Sequence, residues 1–321
     1  MRWQSLLRYT LKRLLMSLLV IFLVSVIIFV IVRLSPGDPV KNRIGPYGDY
    51  SAENVAKVEA ELGLDKSYPE QYLIWAGNCL KGDLGVSLRN GVNITPIIFQ
   101  KFKVSLELIV VSIIIAALLS IPLGIYTGVK PGSIGDKILS VFSSSFLAMP
   151  SFCVGLLLIV LFGVKLHILP TNGYIPFSDN PALNLKYLIM PAITESLFLM
   201  ASLTRYVRSE TIEVTSSNYI RTAVAKGMPQ NIINFRHILK NISTTTINIL
   251  GMEFASMLGG TVIIEQLFGW SGLGWYIANS IQTQDYPAVQ GAVLIIAIGF
   301  VLVNLVVDIL YAIIDPRVEL E

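Results

Sequence analysis

Charge is scarce in this chain. Of 321 residues, only 14% are Asp, Glu, Lys or Arg, whereas a soluble domain carries roughly 25%. With 54% hydrophobic residues, this composition belongs to a membrane protein. The net charge of +3 is too small to suggest a nucleic-acid partner. Cysteine and histidine are scarcer still, with two of each. Cys79 stands in a polar region and Cys153 in an apolar run, so a disulfide between them is not expected. No Cys/His cluster has the spacing of a metal site. The phosphate-cradling pattern G-x-x-x-x-G-K-[ST] is absent, so the chain carries no P-loop of its own. There is no G-x-S-x-G, no H-E-x-x-H and no Ser/His/Asp set placed for catalysis. No internal repeat of the kind many secondary carriers show is visible.

What the sequence does have is long apolar runs. A membrane-spanning helix needs about 20 mainly apolar residues. Six stretches qualify, near 14–32, 104–129, 138–164, 187–203, 242–268 and 288–314. The fourth is the weakest, because it holds Pro191 and Glu195. The first is too long for the apolar core of a cleaved signal and has no A-x-A-like site after it, so a retained helix is expected. Lys and Arg near the span ends set the orientation. Arg2, Arg8, Lys12 and Arg13 precede span one. Lys130 and Lys137 flank the turn between spans two and three. Arg205, Arg208, Arg221, Lys226, Arg236 and Lys240 follow span four. Six crossings put all of these on one side, the cytoplasm, with both termini there.

The expected organisation is therefore an N-terminal segment and first span at 1–33, an extracytoplasmic subdomain at 34–103, a five-span core at 104–315 with a long loop at 209–241, and a cytoplasmic tail at 316–321. Within the subdomain Ser51 is placed to cap a helix, with Asn54 three residues on where a capping box prefers Glu or Gln. The external stretch 269–287, rich in glycine and aromatics, is expected to pack at the outer membrane interface.

The loop's segment "YIRTAVAKGMPQNIINFRHILKN", 219–241, is too long for a mere connection. Ala223, Ala225 and Gly227 are small, and Gly227 accepts the left-handed backbone of a tight turn. Pro229 suits the start of a new helix. Ile232, Ile233, Phe235, Ile238 and Leu239 fall near one helical face. The expectation is a helix, a glycine turn and a short amphipathic helix beside the membrane. A helix that merely lies on anionic lipid would show the same pattern.

The buried carboxylates divide in two. Glu265 and Asp308, near span ends, are expected to pair or hydrogen-bond within the bundle. Glu195 and Glu253 lie deeper and are the candidates for a translocation path. Small residues four apart, Gly124 and Gly128 on span two and Gly251, Ala255 and Gly259 on span five, are expected to bring helices close.

"RTAVAKG" at 221–227 and "RHILKN" at 236–241 resemble the cytoplasmic loop of permease subunits of ABC importers, in the dipeptide/oligopeptide/nickel branch. Arg221 and Thr222 stand where the general motif has Glu-Ala, as is usual in that branch. "SPGDP" at 35–39, "LGLD" at 62–65, "GDLGVSL" at 82–88, "LPTNGY" at 169–174, "LGGTVIIEQLFGWSGLG" at 258–274, "DYPAVQG" at 285–291 and "NLVVDILYAIIDPRV" at 304–318 follow the branch in order and spacing. The resemblance covers nearly the whole chain and is closest to the permease type with a large external region after span one.

That resemblance implies an all-α membrane protein with the six-helix type I importer permease fold, and no enzymatic activity. It implies a bacterial or archaeal cytoplasmic-membrane location, within lipid, and no cofactor in this chain. ATP and Mg would be bound by one or two kinds of cytoplasmic ATPase subunit. The other partners would be a homologous second permease and an extracytoplasmic substrate-binding protein. The ATPase-coupling residues would be Arg221, Thr222, Ala223, Ala225, Lys226, Gly227, Phe235, Arg236, His237 and Leu239. Gly227 would set the bend, Ala223 and Ala225 would allow close packing, and the apolar face with Arg236 would meet the ATPase. Small peptides are the expected cargo, with nickel, a metal chelate or glutathione as alternatives. The competing class is a proton-coupled carrier working through Glu195 and Glu253.

Overall fold

Helices extend as far as the sequence lets them, and what stops each one is visible in the residues. The computed structural model describes residues 2–314, with side chains for 8–309. The tail at 316–321, the end of the 304–318 motif and the side chain of Arg2 lie outside the described residues. Helix α1 spans Arg2–Leu34. It runs back through the basic residues because neither glycine nor proline interrupts them. Three short helices follow, α2 (Pro39–Ile44), α3 (Ala52–Glu61) and α4 (Tyr68–Leu80). Asp38 caps α2 by accepting from the backbone N–H of Val40 and Lys41, and Ser51 caps α3 by accepting from Asn54. The carboxylate of Glu70 accepts from the backbone and hydroxyl of Ser67 at the start of α4, at 3.0 and 2.8 Å.

Helix α5, Thr95–Val129, begins nine residues before its apolar run, with Pro96 in its first turn where a missing N–H costs nothing. Helices α6 (Ile134–Ala148) and α7 (Ser151–Leu158), the latter prolonged by a π-helical turn to Lys165, meet at 103°. The break falls at Met149 and Pro150. A residue before proline is driven out of the helical region, and Met149 is extended at φ −94°, ψ 137°. Helix α8, Pro181–Ser216, starts on the Asn180 cap. It contains Pro191 without ending there and continues 13 residues past the apolar run. The first part of the expected loop at 209–241 is thus helix.

After α9 (Asn218–Ala225) and α10 (Gln230–Ile232), a π-helical turn over Ile233–Ile238 leads into α11 (Leu239–Gly260). A 57° bend at Thr261 leads to α12 (Val262–Phe268), and α13 (Leu273–Gln282) and α14 (Tyr286–Ile314) complete the described residues. Four helices, α1, α5, α8 and α14, are long and apolar enough to cross a membrane alone. The α6–α7 and α11–α12 pairs satisfy the same length and composition together, which makes six candidate spans if each bent pair is one span. Among the described residues there is no strand, only an isolated bridge between Val86 and Asn93.

The main pairing is α5 against α8. A Cβ on Gly124 would sit 2.6 Å from the Val207 side chain and 3.0 Å from the Thr204 carbonyl, and Gly128 faces Thr211 in the same way. The helices approach so closely because side chains are missing there. Ser120 Oγ donates across the seam to the Met200 carbonyl. Helix α14 packs against both α1 and α11, with Arg13 and Asp308 joined at 2.9 Å. The expected stripe on span five splits. Gly251 meets Val307 of α14, Ala255 is buried, and Gly259 faces open space.

Within the stretch 269–287 the first aromatic packs inward. Trp270 is fully buried, donates Nε1–H to the Val104 carbonyl at 3.0 Å and meets Tyr174 edge to face. The indole N–H finds its partner inside the bundle rather than at the headgroups. Helix α13 contributes Leu273 and Ile277 to a core shared with α5 and α14.

Candidate functional site

The stretch after α8 is positioned by two turns. Ser217 takes an extended conformation, φ −69° and ψ 149°, and separates α8 from α9. Helix α9 then ends in a paired carbonyl cap. Gly227 N–H donates to Val224 O at 2.9 Å and Met228 N–H to Ala223 O at 3.2 Å. This two-bond closure requires a left-handed residue at its bend, and Gly227 has φ 76°. Pro229 lies just before α10 rather than inside it.

The next segment differs from the expected independent amphipathic helix. It runs through the π-helical turn directly into the fifth span. The wider turn places Ile233 and Ile238, five residues apart, on one inward face, and Ile242 continues it. These three join Ile220 of α9, Ala116 of α5 and Leu199, Leu203 and Val207 of α8 in a single buried cluster. Leu239 packs on its edge, and Ala223 is buried inside the chain. Ile232 and Phe235, which the 3.6-residue period puts on the same face, point the other way.

Four apolar side chains are left on the outer surface of this stretch. Phe235 is 75% exposed, Val224 56%, Tyr219 45% and Ile232 43%. Arg221, Thr222, Ala225, Lys226 and Arg236 are exposed around them. Arg221, Lys226, Arg236 and Lys240 form no ion pair among the described residues. His237 lies beside Tyr219, ring centroids 6.4 Å apart, with its Nε2 buried and without a hydrogen-bond partner. The arrangement has no chemistry for catalysis, and no group of His, Cys, Asp or Glu that could hold a metal exists among the described residues. An apolar centre ringed by free cations suits a protein partner or an anionic lipid surface.

Just beside it, Arg208 near the end of α8 forms a bidentate pair with Asp136, Nη2 to Oδ2 at 2.9 Å, with a second bond from Nε to Oδ1. Asp136 also accepts from Gly132 N–H at 2.8 Å, so the α5–α6 turn is tied to α8. The residues "SIGD" at 133–136, with Ser133 capping α6, carried the signal for that turn, which charge counting alone overlooked.

The carboxylates separate as their positions imply. Glu265, fully buried, accepts from Ser105 Oγ, from Trp275 N–H at 2.9 Å and from Thr261 Oγ1 at 3.3 Å. Ser105 Oγ in turn accepts from Leu273 N–H at 2.8 Å. Together they satisfy the free N–H groups that open α13. Glu195 on α8 and Glu253 on α11 are half-buried, and neither has a hydrogen bond or ion pair among the described residues.

Elsewhere, three separated motifs converge. Asp285 accepts from Leu88 N–H at 3.1 Å and from Ser87 Oγ. Tyr286 Oη donates to the Pro36 carbonyl at 2.7 Å. "SPGDP", "GDLGVSL" and "DYPAVQG" thus form one joint, fixing the α2–α4 subdomain to the start of α14.

Comparison with known proteins agrees with this geometry. Residues 120–320 match the family described as binding-protein-dependent transport system inner membrane component, and residues 6–109 match its N-terminal companion family. The chain is 34% identical over 311 residues to a probable peptide ABC transporter permease of Sinorhizobium fredii, covering 97% of this chain and 99% of the relative. It is 37% identical over 314 residues to the oligopeptide transport system permease AppB of Bacillus subtilis, with 97% and 99% covered. It is 33% identical over 313 residues to the glutathione transport system permease GsiC of Escherichia coli, with 98% and 99% covered.

Proposed function

Because the chain belongs to the family of binding-protein-dependent transport system inner membrane components, a permease subunit of an ABC importer, we propose that its 217–241 stretch is the surface through which a separate ATPase subunit drives it. The observation that carries this is the two-sidedness of the stretch. Ile220, Ala223, Ile233 and Ile238 fix its inner face into the α5–α8 core, and Phe235, Val224 and four free cations remain outward. A force applied outside is passed to α8 and α11 through close-packed side chains, which yield little. This surface faces the cytoplasm, with the N-terminus on the same side and the α2–α4 subdomain outside, as the Lys/Arg bias requires.

In this reading the chain pairs with a homologous permease and receives substrate from an extracytoplasmic binding protein. One or two kinds of ATPase subunit supply ATP and Mg binding. Closure of the ATPases draws the two docking stretches together, and the packed bundles rock to open the cavity outward; hydrolysis returns it inward. Small peptides are the cargo, on the strength of relatives named for peptide and oligopeptide transport. Glutathione, itself a tripeptide, falls in the same chemical class. Nickel and metal chelates are the alternative that competition in an uptake assay tests. A proton-coupled carrier working through Glu195 and Glu253 is the competing class, against which the family membership weighs; uptake that follows the proton gradient and stops in Glu195→Gln or Glu253→Gln would favour it.

Gly227→Pro removes the N–H that closes α9 and forbids the left-handed bend. The variant is expected to insert into the membrane at the normal level yet lose ATPase co-purification and ATP-dependent uptake of a labelled dipeptide. Normal uptake with normal assembly would refute the docking role.

A further inference from the structure

A cavity of about 390 Å³ lies where α1, the α2–α4 subdomain and α14 meet. This volume falls in the range of small-molecule sites. Arg33, Gln71 and Gln290 all line it. Each carries a buried side-chain atom without a hydrogen-bond partner: Arg33 Nε, Gln71 Oε1 and Gln290 Nε2. Gln71 and Gln290 are only 7% and 6% exposed. Among the described residues Arg33 has no ion pair. Its guanidinium stacks 5.2 Å from the Phe29 ring. Two of these atoms are donors and one an acceptor, and each is costly to leave unpaired. Three unpaired polar groups from three separate elements around one cavity point to something that binds there.

We propose that this cavity holds the phosphate headgroup of a membrane phospholipid. Arg33 is in the last turn of α1, the depth at which a spanning helix meets the headgroups. The Arg33 guanidinium lines the cavity and has no ion pair among the described residues, and a guanidinium suits a phosphate; the Gln290 amide lines the same wall. Phe29, Ile74 and Trp75 form apolar wall. Ile27, Val30, Ile31 and Leu34, exposed on the same end of α1, offer a surface for the acyl chains. Glu61, Asp83 and Lys66 are the exposed charged residues of the lining; two carboxylates against one ammonium leave that part net negative, which favours the amine of phosphatidylethanolamine over phosphatidylglycerol. Bound there, the lipid would pin the external subdomain to the first span. The choice of outer leaflet rests on the orientation proposed above; the site itself does not.

The test is native mass spectrometry of the complete transporter, purified gently and delipidated. It is titrated with phosphatidylethanolamine, phosphatidylglycerol or inorganic phosphate. The expected result is one phosphatidylethanolamine bound per copy of this chain, at least tenfold tighter than phosphatidylglycerol, with inorganic phosphate displacing it only weakly. Arg33→Gln and Gln290→Met should each weaken that binding at least tenfold, whereas Arg89→Gln, an exposed cation of the same subdomain, should not. Equal binding by wild type and both cavity variants would overturn the proposal. So would an equal loss in Arg89→Gln, which would mean diffuse attraction, or inorganic phosphate competing as well as lipid. Because ATPase co-purification is read from the same spectra, failure of the lipid site is distinguishable from failure of the docking reading.

Discussion

At the scale of residues, the division between inward and outward positions in the docking stretch is the feature that matters, and it makes a paired prediction. Ile238 is fully buried and Phe235 largely exposed, only three positions apart. Ile238→Ala should cost about 3 kcal/mol, as buried aliphatic truncations do, and lower the melting temperature of the purified complex. Phe235→Ala should change stability by less than about 0.5 kcal/mol, as surface changes do, yet weaken ATPase association. Thermal unfolding and co-purification of the two variants read both effects; the same loss of stability in both would contradict the assignment. The sequence pattern put these two residues on one face because it assumed 3.6 residues per turn. The π-helical turn depends on packing against α5 and α8 and leaves no mark in composition. Gly227 was readable because only a few local conformations need a glycine. Glu265 was readable as a buried, bonded carboxylate, but its partners Ser105 and Trp275 were not, since they approach from 160 residues away in one case and from a helix outside the apolar runs in the other.

Among the elements, α5 and α8 are the axis through which a push on the loop reaches the membrane. Their seam depends on absent side chains. In Gly124→Leu the new side chain would enter space held by Val207 and the Thr204 carbonyl. Overpacking of this kind costs about 1–3 kcal/mol and forces the helices apart. The expected outcome is poor recovery of folded protein, with partial restoration on adding Val207→Ala; normal recovery of the single variant would show that the seam is looser than described. The spans were legible from apolar length, and their small-residue spacing located this seam. Their true ends were less so. Helix α8 passes Pro191 and continues beyond its apolar run, because α5 and α6 cover it and Arg208 is paired with Asp136. The 103° break in the third span was visible only as Pro150, and its size is a matter of tertiary packing. The burial of Trp270, Leu273 and Ile277 within 269–287 was hidden because glycine and aromatics serve a lipid interface and a tight core equally well.

The molecule as a whole has three zones, each made by a different kind of interaction. At the end where α14 begins, short capped helices are held to it by Asp285 and Tyr286. Across the membrane, apolar helices pack through small residues. On the side of α9, a basic and apolar surface is fixed to that bundle by four buried aliphatic side chains. The subdomain's purpose was not readable from sequence physics, since its joint is assembled from three motifs up to about 250 positions apart. The central claim is that the outward face of 217–241 meets an ATPase, and the most direct measurement places a photo-activated cross-linking amino acid at position 235 in the native membrane. The account predicts that the protein captured there is a cytoplasmic P-loop ATPase, and that excess Gly227→Pro chain fails to capture it. Capture of lipid alone, or of an extracytoplasmic protein, would contradict it.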